Sequence, residues 1–518
     1  MRPEERCLQH NRNGLALGFV AVRERDDRLL LTAVGQINHG GPQAVIDDEQ
    51  AVVVANLNLD AGKKAMSMSD FFSANSFFNH GISYLRTGHW DEHYEHTKAL
   101  LAGLSDDNLL SYPVMVNPSK IMAMELLSKQ FVNFTFVGNS ASMSIIPLKI
   151  VQTSLAYGMS SLAGVGFALY GNYLALARGE VEEGYRYVKF SLSLMKRMPS
   201  SAHDCEIMYY STHTKLRVEP MQSSIEYYTD AYKTAMAAGS TRFAIGCSFI
   251  HDNCSFWSGK KLDMVVDSMK ETMKQMNFYK NFVMLALLLP MFRLASRLTA
   301  QSGTHQQDLA NSFDGTYKEG DITAKLPMLM LTTCFVKFYE GLVFREFDKA
   351  RDYVQKYSSI QSLTAVNMAN PGDFFRIFYA GLVSVWVGRE LRDKEWIKRG
   401  VECKNEIEKL AASASVWNFQ NKTYLLQAEE QFSEGNFELA ETLYDAAILS
   451  AKTHKFVNEE ALANELAGHF YLETGRRNRS VRYFSRAFEK YTEWGAIAKA
   501  ATLAKYFDES GGGDAIMR

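Results

Sequence analysis

One spacing near the C-terminus limits what this chain can fold into. In LLQAEEQFSEGNFELAETLYDAAILSAKTH, Ala428 is followed by Gly435, Ala440, Tyr444 and Ala447; forty residues on, Gly468, Gly475, Ser480, Phe484 and Ala487 take the same spacing. A mechanism links these positions. A small residue in a first helix admits close approach of a partner, a glycine closes the turn, and a small-aromatic-small series at i, i+4, i+7 forms the packing stripe of a second helix. The spacing therefore predicts paired antiparallel helices.

Fainter copies run through Gly179, Gly184, Val188 and Ser191, and through Ala350 and Val354. Each amphipathic pair cannot bury its face alone, so pairs stack on their neighbours. The pattern is tetratricopeptide-like, and the expected fold is all-α, a degenerate tetratricopeptide-like α-solenoid. Composition agrees: ten prolines in 518 residues, with Ala, Leu and Met plentiful, favour helices over short strands joined by proline turns. Loop signals at 38–49, 201–206, 300–307 and 366–373 separate blocks of helices, and the tail DESGGGDAIMR is expected to be disordered.

Charge narrows the partners. The 56 basic and 58 acidic residues leave a net charge of -2 with no basic cluster, so neither nucleic acid nor an anionic membrane is drawn to the chain. The apolar run FVMLALLLPMF at 282–292 is too short to span a bilayer and reads as a core helix, so no membrane insertion is expected. Six dispersed cysteines without ligand spacing read as reduced and buried, and the N-terminus lacks the apolar stretch of a secretory signal. The expected compartment is cytoplasmic.

Chemistry is scarce. His89, Glu92 and His93 form H-x-x-E-H, which on a helix aims two imidazoles at one zinc ion with a general base beside them. No third ligand accompanies them, and the alternative is a helix start whose acids face the dipole while Trp90, Tyr94 and Leu100 face a core. Gly62 and Lys63 lack the rest of a phosphate-binding loop, as does SGKKLD at 258–263; kinase loops and the G-x-S-x-G elbow are missing. His213 reads as a core or groove histidine. No catalytic residue and no cofactor are expected.

The segment at 458–507, with its EALANELAGHFYL helix, Gly475 and the closing WGAIAKAATL around Trp494, Gly495 and Lys499, resembles the end of the helical repeat region in large STAND-type signalling ATPases. VGQINHGG, the stretch at 55–85 and HWDEHYEHTKAL resemble that family's first repeats, and LLSYPVMVNPSKIMAMELL and the segment at 147–175 continue it. Such proteins join a serine/threonine kinase, an AAA ATPase, a tetratricopeptide-like array and often GAF and histidine kinase modules. The resemblance implies that Trp90, His93 and Tyr94 belong to a repeat helix. Several helix pairs of the family are missing after 105, and its catalytic motifs have no matching positions.

The resemblance implies a winged-helix-like remnant at 1–45, shortened first repeats at 46–130, central repeats at 131–310, C-terminal repeats at 311–508 and the tail at 509–518. The expected function is a non-catalytic helical-repeat scaffold for protein–protein interaction in signal transduction. Its partner would be a protein, an ATPase or kinase module in cis or trans, met on the concave face by exposed aromatics, and periodicity does not fix which of Tyr209, Tyr210, Tyr227 and Tyr228 point outward. Two alternatives stand beside it: a regulatory segment of a larger signalling ATPase or kinase, and a zinc hydrolase through H-x-x-E-H.

Overall fold

The computed structural model describes residues 3–24, 26–45, 47–68, 70–84, 101, 104–137, 140–299, 327–363 and 372–508. These residues form antiparallel helices throughout, and the β feature among them is a lone parallel bridge between Val114 and Met159. The all-α repeat fold is therefore present as read. The chain divides into two compact units, the first covering 1–178 and 183–211, the second 179–182 and 212–518.

Unit 1 contains α1 (Pro3–Glu24), α2 (Asp27–Gly40), α3 (Asp48–Ser67), α4 (Phe71–Tyr84), a short α5 (Asp106–Leu110), α6 (Pro118–Val137), α7 (Ser140–Tyr157), α8 (Ser161–Asn172) and most of α9 (Val181–Arg197). Residues 1–45 thus form a helical hairpin followed by a turn. Its tightness comes from glycine: a Cβ on Gly14 would stand 2.8 Å from the Ala33 carbonyl, and one on Gly40 would stand 2.7 Å from that of Cys7. Tyr84 donates to the Ile37 carbonyl at 2.9 Å and ties α4 back to α2. Further along, the backbones of Gly171 and Gly184 meet so closely that neither site has room for a Cβ, while Val188 and Ser191 are buried beside them.

Unit 2 begins within α10 (Asp204–Val218) and continues through α11 (Met221–Ala237), α12 (Thr241–Trp257), α13 (Leu262–Phe278) and α14 (Phe282–Leu298). After the undescribed 300–326 come α15 (Pro327–Phe344), α16 (Phe347–Leu363), α17 (Asp373–Leu391), α18 (Lys394–Ser413), α19 (Val416–Glu434), α20 (Phe437–Thr453), α21 (Val457–Glu473), α22 (Arg477–Trp494), α23 (Ile497–Ala501) and α24 (Lys505–Asp508). The turns between pairs share one device, a left-handed residue. Gly435, Gly475 and Gly495 supply it at φ 83°, 75° and 89°, but Lys280, Arg345, Arg392 and Lys455 adopt φ 55–62° in equivalent turns. Glycine spacing alone therefore under-reads the repeat.

The run at 282–292 lies in α14, whose Leu285, Leu288 and Phe292 are buried, as a core helix requires. A longer apolar helix, α15, was not singled out by sequence. Among the described residues it alone is long and apolar enough to cross a membrane. Its buried Glu340 receives Arg297 and, at 2.6 Å, Lys349 from packed neighbours, a charge cluster that suits a protein core.

Candidate functional site

The repeat residues assemble the interior of unit 2. Ala428, Ala440, Tyr444, Ala447, Ser480, Phe484 and Ala487 are all buried. Gly468 of α21 faces the Phe484 ring of α22, and an added Cβ would lie 2.8 Å from that ring. Trp494 is buried and packs its ring 5.5 Å from Phe256, while Gly495 closes α22 beside Leu262. Lys499 is buried as well.

What local spacing does not encode is the way the array curls back on itself. Asn418, at the start of α19, donates to the carbonyls of Leu216 at 3.0 Å and Glu219 at 2.7 Å, and accepts from the Met221 N–H. Trp417 donates to Gln222, and Gln222 donates to the His454 carbonyl. Asn458 of α21 donates to the carbonyl of Trp257 at the end of α12. Helices some two hundred residues apart in sequence are thereby clasped through side-chain amides.

At the centre, the Trp257 ring lies 4.9 Å from Tyr339, 5.1 Å from Phe375, 5.2 Å from Phe335 and 5.5 Å from Tyr379. Such pairs add to the area they bury. Around this cluster one motif occurs three times: a buried carboxylate held by one cation and one tyrosine hydroxyl. Glu459 takes Lys422 at 2.8 Å, with Tyr379 and Asn421 as further donors. Glu465 takes Lys499 at 2.6 Å and Tyr491 at 2.8 Å. Glu429 takes Arg389 at 2.8 Å and Tyr444 at 2.6 Å.

The electrostatics follow from these partners. Burial pushes the Glu465 carboxyl up, but the Lys499 ammonium and the neighbouring His469 ring outweigh it and hold its pKa at about 2. Burial lowers the Lys422 pKa, opposed by Glu459. Asp373, half-buried at the start of α17, is pushed up to about 6 by desolvation despite Arg376 and Arg217. Cations and hydroxyls hold the three central carboxylates, so these pairs act as latches between helices.

Among the described residues no group of three or more His, Cys, Asp or Glu could hold a metal ion. His89, Glu92 and His93 lie outside the described residues. His213 is buried in α10. Tyr210 and Tyr228 are buried, and Tyr209 and Tyr227 are half-buried. Cys205, Cys247, Cys254 and Cys334 are buried, and burial pushes the Cys403 thiol up to about 12.

An exposed apolar face lies at the other end of the chain. On α1, Leu8, Ala16, Phe19 and Val22 are exposed on one side of the helix, with Arg12 and Arg23 among them, and Phe19 is 64% exposed. The adjoining face of α1, with Asn11, Gly14, Leu15 and Gly18, is the one buried in the hairpin and its neighbours.

No family model matches the chain, and no curated protein matches it. Among solved structures it is similar to a Rap protein complexed with competence and sporulation factor, at 8% identity and a TM-score of 0.38, over 88% of this chain and 99% of that one. It is also similar to the TPR domain of P58(IPK), at 12% identity and a TM-score of 0.19, over 88% and 99%. A circular tandem repeat protein matches at 10% identity and a TM-score of 0.13, over 98% and 96%.

Proposed function

We propose that the protein is a helical-repeat scaffold for protein–protein interaction in signal transduction, and that α1 presents its docking face. The observation that carries this is the apolar stripe of Leu8, Ala16, Phe19 and Val22. In a repeat array each pair buries a face against its neighbour, so an apolar face open at one end suits a further helical element. Arg12 and Arg23, on the same side of α1 as Phe19, favour a partner whose apolar helix face also carries acids. The filled interior of unit 2 supports the same choice, because the inner surface that often serves a solenoid as its groove is already occupied by the chain's own rings and ion pairs.

The finer reading is that the partner is an ATPase or kinase module of a signalling protein, joined in cis or in trans, in the cytoplasm. The support for it is the resemblance of 458–507 and 55–85 to the repeat arrays of signalling ATPases. Size-exclusion chromatography of the native protein from cells tests the scaffold role. The wild type should elute in a complex larger than its 58.5 kDa chain. Phe19→Asp with Val22→Asp should release it as free chain; a complex untouched by both substitutions would overturn the choice of α1.

A further inference from the structure

Unit 1 brings together three side chains whose chemistry a scaffold does not need. Glu125 lies in the middle of α6, Ser161 opens α8, and His203 sits in the turn before α10. His203 Nε2 is 3.0 Å from Glu125 Oε2, and His203 Nδ1 is 2.8 Å from Ser161 Oγ. One tautomer satisfies both contacts: Nε2–H donates to the carboxylate, and the Nδ1 lone pair accepts from the serine hydroxyl. Ser200 Oγ also reaches Nδ1, at the longer distance of 3.3 Å.

Glu125 is suited to orienting the ring. Burial pushes its carboxyl up, but the His203 hydrogen bond and the Lys129 charge at 3.3 Å outweigh this and hold its pKa at about 2. It stays a carboxylate and fixes which imidazole nitrogen is free. Lys129 is itself tied to the buried Glu206, which Ser128 also contacts at 3.0 Å.

Two further features belong to the same place. Ser161 is the first residue of α8, so its N–H and that of Leu162 have no acceptor within the helix and face the end where negative charge is favoured. The adjoining Ser160 hydroxyl is buried without a partner. Two residues before Ser161, Met159 is bridged to the segment around Val114, where Val114 and Val116 are 59% and 84% exposed and make an apolar approach.

We propose that Ser161 is a nucleophile for acyl transfer from apolar carboxylic esters, with His203 as its general base and Glu125 as the positioning residue. Ser161 Oγ bonds to the ester carbonyl carbon while its proton passes to His203 Nδ1. The carbonyl oxygen gathers negative charge near the first-turn N–H groups of α8. As the carbonyl re-forms, the C–O bond to the alcohol breaks, and the alcohol leaves with the proton from His203. Water repeats the sequence on the acyl-Ser161 ester, releasing the acid and restoring the hydroxyl.

The test uses the purified full chain with an alkyl fluorophosphonate and with p-nitrophenyl butyrate. A covalent adduct should map to Ser161 by peptide mass spectrometry. Ester turnover should fall about 100-fold or more in Ser161→Ala and in His203→Gln. His203→Gln keeps an amide able to bond both neighbours, which separates lost chemistry from lost fold. Glu125→Gln should lower kcat with KM little changed, and Ser200→Ala should still be labelled. A folded wild type without an adduct on Ser161, or turnover unchanged in Ser161→Ala, would overturn the proposal.

Discussion

Replacing Lys422 by Met is the sharpest probe of the unit 2 interior. Lys422 and Glu459 are 0% and 1% exposed and 2.8 Å apart, and the ammonium also donates to the Asn418 carbonyl and lies 4.3 Å from the centre of the Phe456 ring. Lys422→Met keeps the apolar stem and deletes the charge, so Glu459 is left buried with only the neutral donors Asn421 and Tyr379. Removing one partner of a buried pair costs roughly 3–5 kcal/mol. Glu459→Met strands the lysine and should cost a similar amount, which puts the simple sum at roughly 6–10 kcal/mol. The double substitution removes both charges and should be no worse than either single one. Urea unfolding followed by tryptophan fluorescence reads this directly, since Trp257 lies in the same core. Single substitutions below about 1 kcal/mol, or a double equal to the sum, would refute the reading of the pair as a latch.

Other expectations concern the turns, the centre and pH. Gly435→Ala meets no atom within 4 Å, so its cost is purely that of φ 83° for an L-residue, about 1 kcal/mol in chemical denaturation. Gly468→Ala meets the Phe484 ring and should cost about 1–3 kcal/mol, measured the same way. Trp257→Ala empties the centre of the aromatic cluster and should cost roughly 3–5 kcal/mol while raising hydrogen exchange in α15, α17 and α21 together. Glu465, lowered from 4.5 to about 2 on folding, contributes stability that is present above pH 4.5 and lost as pH falls towards 2; Glu465→Gln should flatten that loss in acid titrations. Asp373 runs the other way: raised from 3.8 to about 6, it makes stability fall as pH rises through that window, and Asp373→Asn should remove the slope.

The helix pairs were legible because close packing leaves a mark in sequence. Gly468 opposite Phe484, and Tyr444 between Ala440 and Ala447, are pairings that only small residues at fixed spacing allow. The turns were half legible, since Arg345, Arg392 and Lys455 bear the left-handed conformation without announcing it as glycine does. Helix α21 was the hardest to judge. It carries Glu459, Glu460 and Glu465, polar side chains that are all buried because partners from α17, α19, α22 and α23 supply cations and hydroxyls. Nothing local in the chain names those partners. The same holds for Glu125, Ser161 and His203, which sit on three separate elements and make no motif in one dimension. The exposed face of α1 was readable in principle from its 3.6 period, but an apolar stripe looks alike whether it meets a core or a partner.

The most direct test of the scaffold account is photo-crosslinking in living cells with a benzophenone amino acid at Phe19, compared with the same group at Phe278, a more exposed ring in unit 2. The account predicts one discrete protein adduct at position 19, lost on Val22→Asp and identified by mass spectrometry, with none at 278. The same adducts at both positions, or none at 19, would contradict it.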